Sequence, residues 1–449
     1  MPSGGQERRA MKPPWFALLV TVAVLACAAV LGACGSSDSD SDTGSTSVAT
    51  STGATSTAAQ PQSSAVGGST ADNVAVNGGC GTVPNKAPKD PDGVLAALPK
   101  DVQAGYTGIG TVSKSAWADF KSSHPKPWKI GWVFSAVDTP FGGALDKQIR
   151  AAADKAKSEG LVSELVAKTS TSSQGSPTAE IQAIQSLLQD KVDIILITPL
   201  VQQSLLGVAK QAAKAGVPIV MPSNASISPA LVGVDFNQYL VAASPTATAM
   251  KAVGGAGDVL IVEGFPGVAG SELSKVASED AVAQCPDAKV AGSVVGRFTP
   301  AVAKGETLKF LSTHPAGVKA VFQGGAMASG IIGAFEQLGK PMPGLNLTAP
   351  LVGELQYWQQ HPDAPFAGAA YSPTAIANAT IDVALRMLAG NGIKVSTIET
   401  AAPTITAQNL DEYIPEGAPA NSIAPSEGPA AGLAPDALNV FFTKPGGAS

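Results

Sequence analysis

Side chains able to carry reaction chemistry are few in this 449-residue chain, and their spacing argues against catalysis. The three histidines, His124, His314 and His361, stand in a Pro-rich stretch, at a helix-to-strand turn and in a surface-like Gln-Gln-His-Pro-Asp run. None lies in a pattern that pairs an imidazole base with a nucleophile. No Gly-x-Ser-x-Gly elbow and no Walker loop is present. The four cysteines form no Cys-x-x-Cys pair and no Cys/His cluster, so a zinc site lacks its ligand set. Gly254-Gly255-Ala256-Gly257 precedes its strand, whereas a dinucleotide loop must follow one and open a helix. Asp38-Ser39-Asp40-Ser41-Asp42 lacks the Gly and the closing Glu of a calcium loop. These residues predict a protein that is not an enzyme, holds no metal and needs no cofactor.

A different chemistry marks the start of the chain. Arg8, Arg9 and Lys12 precede an apolar run over residues 15–31, and Leu31-Gly32-Ala33-Cys34 closes it. A basic start, a short apolar stretch and small residues before the cut are what a translocon and its peptidase require. The tetrad resembles the lipobox of bacterial lipoproteins, which implies a signal peptide over 1–33, diacylglycerol on the Cys34 sulfur and an extracytoplasmic, membrane-anchored product. A membrane span is the alternative, at the short limit of about 17 residues. Residues 35–70 are almost all small and polar; ordering them would lose chain entropy with little apolar burial in return, so 34–79 is expected to be a tether. Losing Arg8, Arg9, Lys12 and Glu7 makes the net charge of −6 more negative by two. A net-negative body without a Lys/Arg stripe has no electrostatic footprint for nucleic acid. Cys27 leaves with the signal and Cys34 is lipidated, so Cys80 and Cys285 remain in an oxidising compartment, either bridged or as two unpaired thiols.

About 370 residues follow the tether, more than one hydrophobic core usually supports, so two lobes are expected. From Lys129 short β-rich runs alternate with helical patterns, the signature of βα units around parallel sheets. Lys129 to Phe134 reads as a strand, and Phe141, Leu145, Ile149 and Ala153 form a helical stripe. Ile181, Ile184, Leu187 and Leu188 mark a helix, and Val192 to Thr198 a buried strand. Residues 205–215 read as a helix ended by Gly216, followed by the strand 217–221. A second series begins at 259–262. It runs through helices 271–284 and 301–311, strands 290–295 and 320–322, a helix to Leu338 and a strand at 347–350.

The runs Ile130 to Phe141, Asp193-Ile-Ile-Leu-Ile-Thr-Pro199, Ala212 to Val220, His314-Pro315, Ala320-Val-Phe322 and Met327-Ala-Ser-Gly330 together resemble the type I periplasmic binding proteins of the ribose-binding class. The resemblance spans roughly 129–406. It implies an α/β fold of two similar parallel-sheet lobes joined by a three-strand hinge, with crossovers near 234–237, 370–373 and 401–406. The first lobe would then hold 128–236 and 371–402, and the second 237–370 with 403–449. A leader at 80–127 would carry short helices at 94–98 and 115–120, with Trp117 and Phe120 packed on a lobe; Phe441 and Phe442 would dock near the end. The implied function is that of a monomer capturing a small-molecule solute between its lobes for an ABC transporter permease. A ligand sensor presenting its closed form to a membrane receptor or kinase is the alternative.

Carried over position by position, the resemblance implies a binding set of Asp138, Thr139, Phe141, Ser223, Asn224, Ser274, Phe298, Gln323, Glu354 and Tyr371. Gly142 stands where a second stacking ring is expected, which leaves one ring wall missing. Ser223-Asn224 and Ser274 replace the family's arginines, while Gly324-Gly325 and Val352 replace amide and acidic positions. Every buried hydroxyl left unpaired costs about 1–3 kcal/mol, so this sparse set predicts a solute less polar than an ordinary aldopyranose: a deoxy sugar, a polyol, or an aromatic or alicyclic compound. Glu263, Glu354 and Asp138 are open to pairing with a cation or to structural roles. Tyr357 and Trp358 either stack in the cleft or belong to the core, and Trp132 is expected in the core.

Overall fold

The computed structural model describes residues 78–169, 176–425 and 432–446; the signal, the Cys34 motif and nearly all of the tether lie outside the described residues. A short helix, α1 (Lys100–Ala104), is followed by β1 (Trp128–Phe134), α2 (Pro140–Ser158), β2 (Val162–Thr169), α3 (Pro177–Gln189), β3 (Ile194–Thr198), α4 (Gln202–Lys214), β4 (Ile219–Pro222) and β5 (Leu231–Phe236). The second series runs α5 (Gln238–Ala252), β6 (Ala256–Glu263), α6 (Ala269–Val282), β7 (Asp287–Val295), α7 (Pro300–Thr313), β8 (Ala320–Gln323), α8 (Ala328–Gln337), β9 (Gly344–Thr348), α9 (Val352–Gln360) and β10 (Phe366–Ala369). The chain closes with α10 (Pro373–Leu388), β11 (Thr397–Thr400), β12 (Thr404–Ile405) and α11 (Pro435–Leu438).

Local chemistry explains the helix starts that matter for the cleft. Thr139, Ser176 and Ser372 each accept a backbone N–H from the first turn, and each is followed by a proline whose missing N–H costs nothing there. On α2 the stripe Leu145, Ile149, Ala153 and Ala156 is buried, as its spacing requires. The strand β3, Ile-Ile-Leu-Ile-Thr, is apolar on both faces because helices cover both.

The strands form two six-stranded sheets, ordered β11-β5-β4-β3-β1-β2 and β12-β10-β9-β8-β6-β7. All pairings are parallel except β10 with β12. The chain passes between the sheets three times: from β5 to α5, which packs on β9 and β10; from β10 to α10, which packs on α2, β4 and β5; and from β11 to β12. This is the two-lobe α/β architecture with its three-strand hinge.

Both ends of the described chain depart from expectation. Residues 94–98 and 115–120 are turns, the former stopped by Pro99, which disfavours helical backbone at the residue before it. The leader serves both lobes. Cys80 is bonded to Cys285 and Val83 packs with Tyr239 and Ala242 on the second, while Tyr106, Ile109, Val112 and Trp117 enter the core of the first. The segment after Thr406, expected to stay with the second lobe, divides: Leu410, Tyr413 and Ala424 join the second core, but Leu433, Leu438, Phe441 and Phe442 join the first. The reason is an apolar face on α10 that the first sheet alone does not cover.

Candidate functional site

Seven strand ends converge on one cavity of about 120 Å³ between the sheets. Its walls come from the residues at or after the carboxyl ends of β1 (Phe134, Thr139, Phe141, Gly142), β3 (Thr198, Pro199) and β4 (Ser223, Asn224). Opposite them stand residues that follow β6 (Val268, Gly270), β7 (Phe298), β8 (Gly324, Gly325, Ala326) and β9 (Ala349), with Gln238 and Tyr371 contributed by the hinge. The carboxyl ends of parallel strands are where loops are free to diverge and where open α/β sheets hold ligands. Four wall residues, Ser223 (φ 59°), Phe298 (φ 51°), Ala326 (φ 52°) and Ala349 (φ 46°), hold left-handed backbone that non-glycine residues rarely adopt. Such conformations persist only where the surroundings over-determine them, and they concentrate at binding sites.

Of the expected set, Thr139, Phe141, Ser223, Asn224, Phe298 and Tyr371 meet in this wall. Asp138, Ser274, Gln323 and Glu354 are not part of it. Glu354 is buried and works as a double cap: Oε2 accepts from the Leu351 N–H at 2.9 Å and Oε1 from the Ser329 N–H at 2.6 Å, holding the starts of α9 and α8. Burial raises its pKa. Gln323 shapes the glycine loop from behind, its Oε1 accepting the Gly325 and Met327 N–H groups while Nε2 donates to Thr348. Ser274 is buried on α6. Glu263 pairs with Lys275 at 2.8 Å. Trp358 and Trp132 are core residues, and the Trp132 Nε1 donates to Asp146.

The missing ring wall is supplied from elsewhere. A Cβ on Gly142 would lie 1.8 Å from the Ala136 carbonyl oxygen, so no aromatic fits that position. Instead Tyr371 stacks on Phe141, centroids 5.0 Å apart and planes 20° from parallel. Phe298 lies flat on the backbone of Gly264, where a Cβ would come within 2.0 Å of the ring, and Phe265 meets it edge-on at 5.8 Å.

Sequence reasoning missed the polar network behind these rings. The Tyr371 hydroxyl donates to Asp235 Oδ1 at 2.7 Å and contacts the Ser223 hydroxyl at 2.5 Å. Gln238 Nε2 donates to Asp235 Oδ2 (2.6 Å), Tyr371 (2.9 Å) and the Ser223 carbonyl (3.0 Å). Burial pushes the Asp235 carboxyl up to about 8 against the pull of the Gln238 and Tyr371 hydrogen bonds, and burial followed by the Asp235 charge raises the Tyr371 phenol. Asp235 holds its proton more tightly folded than unfolded, so its contribution to stability is complete below the ordinary carboxylate range and is lost as pH rises through about 8. The available signal was an acidic residue ending the otherwise apolar strand Leu231–Phe236, at the first crossover.

Comparison with known proteins agrees with this geometry. A family profile described as the periplasmic binding protein domain matches residues 130–392. No curated protein matches the chain by sequence. Among solved structures, an ABC transporter solute binding protein from Thermobispora bispora superposes with a TM-score of 0.61 at 22% identity, covering 66% of this chain and 91% of that one. One from Mycobacterium smegmatis with bound glycerol gives 0.59 at 18% identity, covering 67% and 99%. One from Bacillus halodurans with bound myo-inositol gives 0.56 at 15% identity, covering 65% and 99%. At these identities the likeness is one of fold.

Proposed function

The chain belongs to the periplasmic binding protein domain family, and from that premise we propose that it captures a sugar-like, polyol or less polar solute in its interlobe cleft for an ABC importer. The family's work is binding, not catalysis. The observation that carries the reading is the cavity at the converging strand ends, walled by both lobes and closed at the back by the hinge residues Tyr371 and Gln238. Ligand that touches both walls binds the closed arrangement better than the open one and so shifts the population toward it. The glycerol and inositol seen in structural relatives support small polyhydroxylated compounds as a starting class. Among the described residues no lysine or arginine lines the cavity, so a phosphate or sugar acid would be desolvated without a bidentate partner. Anchoring through lipid on Cys34, export by the 1–33 signal and action as a monomer beside a permease complete the proposal, on the strength of the lipobox resemblance.

A thermal-shift screen with sugars, deoxy sugars, polyols, aromatic acids and alicyclic compounds near 1 mM tests the reading. A micromolar ligand at that concentration adds about 4 kcal/mol, a shift of several degrees. Hits among weakly polar compounds support the sparse polar wall; hits confined to ordinary hexoses or pentoses refute the site assignment while leaving the fold unaffected. With a ligand in hand, Phe298→Ala is expected to weaken its binding at least several-fold. Ligand-free stability should fall by less than for a fully buried ring, because Phe298 is half-buried and packs only against the margin of the second core. Unchanged affinity by calorimetry would remove Phe298 from the site.

A further inference from the structure

A second chamber of about 340 Å³ adjoins the aromatic cavity and shares Asn224, Gln238 and Gly270 with it. Asp235 on β5 and Glu399 on β11 line this chamber, and the two residues are direct register partners on adjacent parallel strands. Both are 1% exposed. Glu272 of α6 also lines the chamber, and among the described residues no lysine, arginine or histidine does. Its mouth is apolar, with Ile227 from the first lobe 47% exposed and Val276 from the second 43% exposed.

An independent feature asks for a donor at the same place. Gln202, which lines the chamber and is 6% exposed, spends its amide N–H groups on Asn224 Oδ1 at 3.1 Å and the Ala225 carbonyl at 2.7 Å. Its Oε1 is buried with no hydrogen-bond partner. Leaving a buried acceptor unmet costs free energy that an incoming N–H removes. Two adjacent buried carboxyls can ionise only if a cation joins them, so they too favour an incoming ammonium.

We propose that this chamber receives a protonated amino group of the solute, an ammonium on an otherwise weakly polar carbon frame, with Asp235 and Glu399 as its counter-charge and Gln202 Oε1 as a further acceptor. The frame lies among Phe141, Phe298 and Tyr371, whose ring faces also favour a nearby cation. The inference rests on the solute-binding reading and narrows its ligand class. Without ligand the pair holds protons: burial raises both carboxyls, and the Asp235 charge further raises Glu399. The other groups facing the pair are Tyr371 from the second crossover, Gln238 from α5, Thr397 on β11, Tyr106 of the leader, whose hydroxyl accepts from the Glu399 N–H, and Glu272 from α6; none is a cation. Entry of an ammonium lets the pair ionise, so binding expels protons and tightens as pH rises toward about 8.

The test is calorimetry on the full chain in mild detergent with matched pairs in two buffers of different ionisation heat: cyclohexylamine against cyclohexanol at pH 6.5 and pH 8, and glucosamine against glucose at pH 6.5, where its amine is protonated. The expected result is an amine at least tenfold tighter than its hydroxyl partner, a ratio that grows with pH, and proton release visible as a buffer-dependent heat. Glu399→Gln, checked for folding by its thermal midpoint, should cut the ratio at least fivefold. If the variant does not fold, the pH dependence and proton release of the unaltered protein decide. A hydroxyl partner that binds as tightly as its amine, or an amine preference with no proton release, overturns the proposal and leaves solute binding standing. Silence of the amines together with every sugar and polyol removes both.

Discussion

Replacing Cys80 and Cys285 together by serine is expected to lower stability by up to about 5 kcal/mol, the chain-entropy ceiling for freeing a loop of 205 residues. The loss should be large because the bond closes the leader across the hinge. At one end the leader is fixed to the second lobe by the disulfide and by the Lys86–Asp280 ion pair. Further on, its Gly105 and Thr107 carbonyls accept from Asn237 Nδ2 at 2.7 and 2.8 Å, at the first crossover, and the Trp117 Nε1 donates to the Ala230 carbonyl of the first lobe at 2.9 Å. Freed at Cys80, the strap no longer resists separation of the lobes. Urea unfolding of the double variant should show a lower midpoint and a steeper slope, because the freed unfolded chain exposes more surface, and ligand-free scattering a larger radius of gyration. A midpoint equal to that of the parent under oxidising conditions would show that the bridge contributes nothing to this fold.

Arg386→Ala should cost about 3 kcal/mol or more, the range for breaking a buried charged network by removing one member. Arg386 is 2% exposed. Its guanidinium binds Asp382 at 2.9 Å, Asn439 Oδ1 at 2.7 Å and the Pro435 carbonyl at 2.9 Å, and lies 5.3 Å from the Phe442 ring centroid. One side chain therefore clamps residues 435–442 onto α10. Truncation leaves Asp382 without its cation and the Asn439 and Pro435 acceptors without donors. The expected result is a thermal midpoint several degrees lower and rapid proteolytic loss of the last fifteen residues. Arg386→Lys should rescue only part of this, since an ammonium cannot reach three acceptors in a planar fork. A midpoint and a proteolysis pattern equal to the parent's would place the clamp elsewhere.

The parts of the site that were legible in the sequence are those that local rules write. Thr139 followed by Pro140, and Ser372 followed by Pro373, are helix starts that local rules write, and the family resemblance assigns Phe141 and Tyr371, beside them, to the binding set; both line the cavity. Phe298, which the resemblance offers as a stacking ring, stands two residues before the helix that begins at Pro300 and lines the same cavity. Glu354 was misjudged because a carboxylate in a helix's first turn reads the same from sequence whether it faces a ligand or its own helix N-terminus. Only the approach of α8, bringing the Ser329 N–H to its second oxygen, settles which. Gly142 was read as a gap in the ring wall because the spot a Cβ would fill, beside the Ala136 carbonyl, is invisible in a residue list.

By itself the sequence determined the alternation of strands and helices and the parallel α/β class, because periodicity and turns act within a few residues of one another, and its length called for two lobes; the three crossover positions came from the family resemblance. Tertiary structure alone decided that Tyr371 faces Phe141, that the chain's last described segment returns to the first lobe, and that Asp235 meets Glu399. These outcomes depend on which strands become neighbours, β11 beside β5 and β10 feeding α10 back across the hinge. That choice is made by burial summed over whole sheets, and no window of the sequence contains it.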